Sequence, residues 1–237
     1  MKIAYQLPLK SRGSTRVPNK NFRDLNGKPL CRWLVDELLA ALPADADLWI
    51  DSEHERVMEF FSDVSDPRIR FHRRLEWFAS DRANGNHLVN QFGLAHPEYD
   101  FFAQVYATAV TLRGDIVREA MDAFVARADR HDSMFLVTEE TGWIWYQGRA
   151  VNYDPTTLDG LPRSQDAVYL KETTGLYAIS REALFSTGCR VGRTPLLYTV
   201  PREYAFDIDT MEDFREAERL LARVEPSRTP ETMRRAG

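Results

Sequence analysis

Short apolar runs alternate with stretches of helical periodicity along most of the chain, and that alternation predicts its elements. Residues 3–7 form an apolar run of strand length, followed by a polar loop over 10–23. Leu30, Trp33, Leu34, Leu38 and Leu42 then recur at helical spacing. Pro29 suits the first turn of that helix, where a missing N–H costs nothing. A second strand is expected over 48–50, with Asp51 and Ser52 as caps for a helix through Val57, Phe60 and Phe61. A short strand over 69–71, a helix over 84–95 stopped before Pro97, and a buried strand in the aromatic run 99–106 follow. Ile116, Ala120, Phe124 and Ala128 line a helix over 114–128, and 133–138 reads as another strand. Strands separated by helices of this length imply βαβ units, hence an α/β domain with a mainly parallel sheet.

The rhythm breaks over 139–171. Trp143, Trp145, Tyr146 and Tyr153 lie among Gly142, Gly148, Pro155, Gly160 and Pro162 without helical spacing, which reads as a hairpin and a long excursion inserted into the α/β domain. Strand character resumes at 175–179, Ser180 caps a short helix, and 196–200 is a last strand. Thr210 caps a terminal helix through Phe214, Ala217, Leu220 and Leu221. The organisation expected is one domain over 1–223 that includes the 139–171 insertion, and a disordered tail over 224–237.

Composition narrows the classes of function. With 31 Lys plus Arg against 36 Asp plus Glu, the formal charge is -5, which argues against a protein that grips nucleic acid or an anionic membrane. No apolar run has the length of a membrane span and no signal peptide is evident, so a cytoplasmic location is expected. Cys31 and Cys189 stand far apart, which rules out a disulfide framework or a cysteine-rich zinc site. The five histidines show no ligand spacing, and Ser14 lacks evident His and Asp partners for a nucleophile.

Candidate chemistry lies near the two ends of the chain. The loop after the first strand carries Lys10, Arg12, Arg16 and Lys20 within eleven residues, and Gly13 and Ser14 allow a tight backbone. It follows a parallel strand, where open α/β sheets bind ligands, so it reads either as a polyphosphate cradle or as a solvated basic loop. It has neither the Gly-Lys-Ser/Thr ending of a Walker loop nor a G-x-G-x-x-G fingerprint. Near the other end, Asp207 and Asp209 stand at an i, i+2 spacing. On extended backbone both point to one side and can share a divalent ion such as Mg²⁺; alternatively, Asp209 only caps the following helix.

The run KSRGSTRVPNKN over 10–21, followed by Leu25-Asn26-Gly27-Lys28-Pro29-Leu30, resembles the opening signature of the acylneuraminate cytidylyltransferase family. The resemblance recurs at Phe78-Ala79-Ser80-Asp81, Tyr106-Ala107-Thr108-Ala109, Arg163-Ser164-Gln165-Asp166, Thr174-Gly175-Leu176-Tyr177 and Asp207-Ile208-Asp209-Thr210. It implies a nucleotide-binding domain, similar to nucleotide-diphospho-sugar transferases, with a small dimerisation insertion at 139–171. It also implies transfer of CMP from CTP to an anionic acceptor in a homodimer. Lys20, Arg16 and Arg12 then fall to catalysis, and Lys10, Ser11, Gly13, Ser14, Asn21, Ser80 and Asp81 to the nucleotide. Ala107, Arg163, Gln165 and Lys171 fall to the acceptor, and Asp207 and Asp209 to Mg²⁺.

Two departures stand out. The early arginine of the family falls on Ser11, and the glutamine that helps read the sugar falls on Ala107. Loss of an amide reader weakens discrimination by hydroxyls, so a nonulosonic or ulosonic sugar acid and a small phosphonate such as phosphonoformate stay level as acceptors. A glycosyltransferase would leave the basic loop unexplained, and a non-catalytic nucleotide-binding protein would follow if Ser11 had disabled the chemistry.

Overall fold

The computed structural model describes residues 1–11 and 16–222. In chain order the elements are β1 (Ile3–Pro8), β2 (Asp24–Leu25), β3 (Lys28–Pro29), α1 (Leu30–Ala41), β4 (Asp47–Ser52), α2 (Arg56–Glu59), β5 (Ile69–Arg73), α3 (Gly85–Ala95) and β6 (Phe101–Val105). Then come α4 (Gly114–Val125), β7 (Ser133–Thr141), β8 (Trp145–Tyr146), β9 (Arg149–Ala150), β10 (Val168–Ser180), α5 (Arg181–Thr187), β11 (Pro195–Thr199) and α6 (Met211–Ala222). The expected tail over 224–237 lies outside the described residues.

Seven strands form one sheet in the order β11-β7-β10-β6-β1-β4-β5, and β10 alone of them runs antiparallel to its neighbours. The first strand is central. The chain leaves it toward β4 and β5 on one side, then returns to add β6 on the other. That reversal opens a crevice beyond the carboxyl ends of β1 and β6, the place where such sheets hold ligands.

Period-two alternation in the strands serves two cores. Tyr5, Leu7, Ala103, Val105 and Leu176 face the larger one, which they share with Leu34 and Leu38 of α1, Phe124 of α4 and Phe214 of α6. Ala4, Phe102 and Ile179 face the smaller one, with Phe92 of α3 and Leu184 of α5. A fully buried Leu or Phe of this kind contributes about 1.5–3 kcal/mol, so both layers of helix are held by their apolar stripes. Asn26 and Gly27, both at positive φ, turn the β2–β3 hairpin, which only such residues adopt without strain.

Several boundaries differ from those the sequence predicts. Asp51 and Ser52 continue β4 instead of capping a helix, and α2 is a single turn after Glu55. The reason is tertiary: Asp51 is fully enclosed and accepts hydrogen bonds from Gln6 and Arg74, which a helix cap would forfeit. The α4 helix ends at Val125, before Ala128. Strand β10 begins at Val168, inside the segment read as irregular, because residues 168–172 pair with 137–141 of β7. The excursion is therefore carried on a paired two-stranded arm, with the β8–β9 hairpin at its end. Among the described residues no helix is long and apolar enough to cross a membrane.

Candidate active site

Strand β1 delivers the chain to the crevice, where Leu9 is anchored by its N–H to the Asp51 carbonyl at 2.8 Å. Beyond it, the Lys10 ammonium donates to the Ser80 carbonyl at 3.2 Å and lies 3.7 Å from the Asp81 carboxylate. The Ser11 N–H donates to Glu53 Oε1 at 2.7 Å, and Asn21 Nδ2 donates to the Lys10 carbonyl at 3.2 Å. Five residues expected to hold a nucleotide, Lys10, Ser11, Asn21, Ser80 and Asp81, thus come together at one rim. Burial pushes the Glu53 carboxyl upward, but the hydrogen bonds from Ser11 and the charge of Arg74 outweigh it and hold it below its usual range.

The loop then turns through Asn19, at positive φ, into a short 3-10 turn that begins at Lys20. Lys20 Nζ donates to the Ile208 carbonyl at 2.7 Å and lies 3.8 Å from Asp209 Oδ1. Arg16 Nη2 donates to the same Asp209 oxygen at 2.8 Å. Burial lowers the Lys20 pKa, and the carboxylates of Asp207, Asp209 and Asp213 oppose that shift.

The segment that carries these aspartates is pinned rather than free. Ile208 is fully buried, and its N–H donates to the Thr108 carbonyl at 3.1 Å. An i, i+2 spacing sends Asp207 and Asp209 away from that core contact. Asp213 in the first turn of α6 accepts from the N–H groups of Asp209 and Thr210, and Thr210 Oγ1 accepts from the Asp213 N–H. Thr210 and Asp213 are therefore the reciprocal cap, and Asp209 is left for other work. Asp207 Oδ1 is buried without a hydrogen-bond partner among the described residues. A carboxylate oxygen in that state calls for a cation or a donor, so two carboxylates, one of them under-satisfied, can hold a divalent ion.

Other expected residues are placed differently. Arg12, Gly13 and Ser14 lie outside the described residues. Ala107 packs into the core at 3% exposure, and the neighbouring Tyr106 hydroxyl accepts from Arg190. Arg163, Gln165 and Lys171 are exposed on the arm, and Arg163 pairs with Asp166 at 2.7 Å.

A buried polar chain beneath the crevice was not anticipated. Gln6 Nε2 donates to Asp51 Oδ2 at 2.6 Å, and Gln104 Nε2 donates to Gln6 Oε1 at 3.1 Å. The Tyr106 hydroxyl donates to Gln104 Oε1, and Arg190 Nη1 donates to the Tyr106 hydroxyl at 3.1 Å. Arg74, with no side-chain exposure, bridges Asp51 and Glu53. Burial drives the Asp51 carboxyl up, and the Arg74 charge opposes it. Glutamines at 6 and 104, each inside an apolar strand, were the available signal.

An open, largely parallel sheet, with a cation-lined loop and a carboxylate pair at its switch point, defines a nucleotide-binding α/β protein of nucleotidyltransferase type. The chain belongs to the cytidylyltransferase family, whose profile matches residues 11–234. It is 25% identical over 218 residues to N-acylneuraminate cytidylyltransferase A of Danio rerio, a match that covers 89% of this chain and 49% of that protein. It therefore spans about half the length of such relatives. It is 24% identical over 221 residues to a pseudaminic acid cytidylyltransferase of Campylobacter jejuni subsp. jejuni, covering 90% of this chain and 93% of that one.

Among solved structures, a CTP complex of CMP:2-keto-3-deoxy-manno-octonic acid synthetase shares the fold, with a TM-score of 0.66 at 16% identity over 94% of this chain and 99% of that one. The 4-diphosphocytidyl-2C-methyl-D-erythritol synthase of Anaerococcus prevotii shares it too, with a TM-score of 0.65 at 10% identity and the same coverage.

Proposed function

We propose that this chain transfers CMP from CTP to an oxygen of an anionic acceptor, a hydroxyl of a nonulosonic or ulosonic sugar acid or a phosphonate oxygen of a small phosphonate, with release of pyrophosphate. The observation that carries this reading is the convergence of Lys20 and Arg16 on Asp209, beside the bare oxygen of Asp207, at the mouth of the crevice. Relatives named for N-acylneuraminate and pseudaminic acid support an acidic acceptor. In the transfer, the acceptor oxygen bonds to the α-phosphorus as the bond from that phosphorus to the β-phosphate oxygen breaks. A sugar hydroxyl gives its proton to solvent; an ionised phosphonate oxygen has none to lose.

Mg²⁺ is the ion we assign to Asp207 and Asp209. It takes few carboxylates and completes its shell with water and phosphate oxygens. Asp207 Oδ1, unpartnered among the described residues, fits that demand. When bound, the ion neutralises phosphate charge. The side chains do the rest. Lys20, fixed by the Ile208 carbonyl, presents its charge where pyrophosphate separates. Lys10 and Asn21 orient the nucleotide at the opposite rim, which the Ser11–Glu53 hydrogen bond holds in place.

The arm is read as a homodimer contact, because Trp143, Trp145, Tyr146 and Leu170 are exposed on it.

Pyrophosphate release from CTP with a panel of sugar acids and phosphonoformate tests the activity. Asp207→Asn and Asp209→Asn should each lower turnover by roughly 100-fold or more at limiting Mg²⁺ with the fold retained. Full turnover by both variants would reduce the pair to a structural feature and sink the reading.

A further inference from the structure

Arg163 is exposed and paired with Asp166, whereas a different arginine is held against the polar chain that ends at Tyr106. Arg190 lies between α5 and β11, and no feature of the sequence singled it out. Its backbone N–H donates to Asn86 Oδ1 at 3.0 Å, which ties this loop to the start of α3. Its guanidinium lies over the Tyr177 ring, 3.6 Å from the centroid, and Nη1 donates to the Tyr106 hydroxyl. Gly85 makes room for it: a Cβ there would sit 2.5 Å from Nη1 and 2.7 Å from the Tyr106 hydroxyl.

Three features make this more than a latch between loop and sheet. First, Tyr106 opens the turn that follows β6, and two residues on, the Thr108 carbonyl pins Ile208 between the aspartates. Arg190 therefore flanks the same turn that supports the proposed metal pair. Second, most of its hydrogen-bond donors are unused. Among the described residues the Tyr106 contact is the only hydrogen bond its side chain makes, and its nearest carboxylate, Glu172 Oε1, is 3.8 Å away, beyond hydrogen-bonding distance. Its side chain keeps 26% of its exposure. Third, the surroundings fix its orientation. The Tyr177 ring packs against the guanidinium, and the Tyr177 hydroxyl donates to Glu172, which keeps that carboxylate beside Arg190 as a counter-charge. A planar fork held against an aromatic face, with donors to spare, suits two parallel hydrogen bonds to a carboxylate or phosphonate.

We infer that Arg190 is the acceptor's anion-binding residue and sets the preference for a charged acid over its neutral analogues. The inference rests on the activity proposed above. Glu172 then acts as the competitor that an incoming anion must displace.

The test pairs turnover with direct binding. N-acetylneuraminate, 2-keto-3-deoxy-manno-octonate and phosphonoformate, and a neutral amide or ester of each, are titrated calorimetrically into the wild-type protein, Arg190→Gln and Glu172→Gln. A non-reactive CTP analogue is present throughout. The same acids are assayed for pyrophosphate release with CTP. Arg190→Gln should weaken binding of the preferred acid roughly 30- to 100-fold and abolish its advantage over the neutral analogue, while affinity for the CTP analogue stays within about twofold. Glu172→Gln should strengthen acid binding severalfold, and since it keeps an acceptor for the Tyr177 hydroxyl it tests the idea even if Arg190→Gln folds poorly. Acid preference that survives in Arg190→Gln, or an effect on the CTP analogue instead, overturns the assignment while wild-type turnover leaves the activity standing. Binding of an acid that depends on Arg190, without turnover of any panel member, keeps the subsite and removes the activity. Failure of every acid to bind the wild-type protein overturns both.

Discussion

Burial pulls the Lys20 ammonium toward neutrality, while the carboxylates of Asp207, Asp209 and Asp213 hold its proton on. Burial wins, so Lys20 loses its proton at a lower pH than an exposed lysine, whose pKa is about 10.4. If the charged form is needed as pyrophosphate leaves, activity should fall on the alkaline side before an ordinary lysine would titrate. Replacing Lys20 by Ala should lower kcat by roughly 100-fold and remove that alkaline limb. Lys20→Arg should retain part of the rate and shift the limb upward. The check is a pH profile of kcat and of apparent CTP affinity for the three proteins. A loss confined to CTP affinity would make Lys20 a ground-state contact. Cys31 shows the opposite use of burial: enclosed in α1, its thiol is pushed up to about 12 and stays inert packing.

At the scale of elements, the cap of α6 does two jobs. Asp213 accepts from the Thr210 N–H at 2.7 Å and from the Asp209 N–H at 3.0 Å, so the contact that starts the helix also fixes the carboxylate pair. Hydrogen bonds from Thr210 outweigh burial and hold the Asp213 carboxyl below its usual range. A depressed folded pKa means that its stabilisation is fully present above the unfolded value, near pH 4, and is lost as pH falls through the lower folded value. Asp213→Ala should therefore cost about 1 kcal/mol at neutral pH, with the deficit shrinking in strong acid. Urea unfolding midpoints at neutral and acidic pH would check this. The variant should also need more Mg²⁺ for half-maximal turnover; an unchanged requirement would separate the cap from the site.

For the molecule as a whole, the arm is the segment with least reason to stand alone. Trp145 and Tyr146 are 56% and 66% exposed on a two-residue pair of strands, too small to build a core of its own. Sedimentation should find a dimer, and Trp145→Ser with Tyr146→Ser should shift it toward monomer. A stable, fully active wild-type monomer at dilute concentration would end this reading.

Much of this protein follows from sequence alone, and the reason is that the deciding interactions are local. Apolar periodicity located the main strands and helices, Asn84, Ser180 and Thr210 marked three helix starts, and the spacing of Asp207 and Asp209 put both on one side of an extended segment. Lys10, Lys20, Asn21, Ser80 and Asp81 were legible because charge and motif order survive without a fold. Tertiary structure decided the rest, because burial and long-range pairing carry no local mark. It kept Asp51 in β4 against its capping propensity, extended β10 through a segment that read as irregular, and drew Ala107 into the core while Tyr106 faced the polar chain. It also set Arg190 against Tyr106, 84 residues away in the chain, a separation over which no periodicity or motif could have joined them.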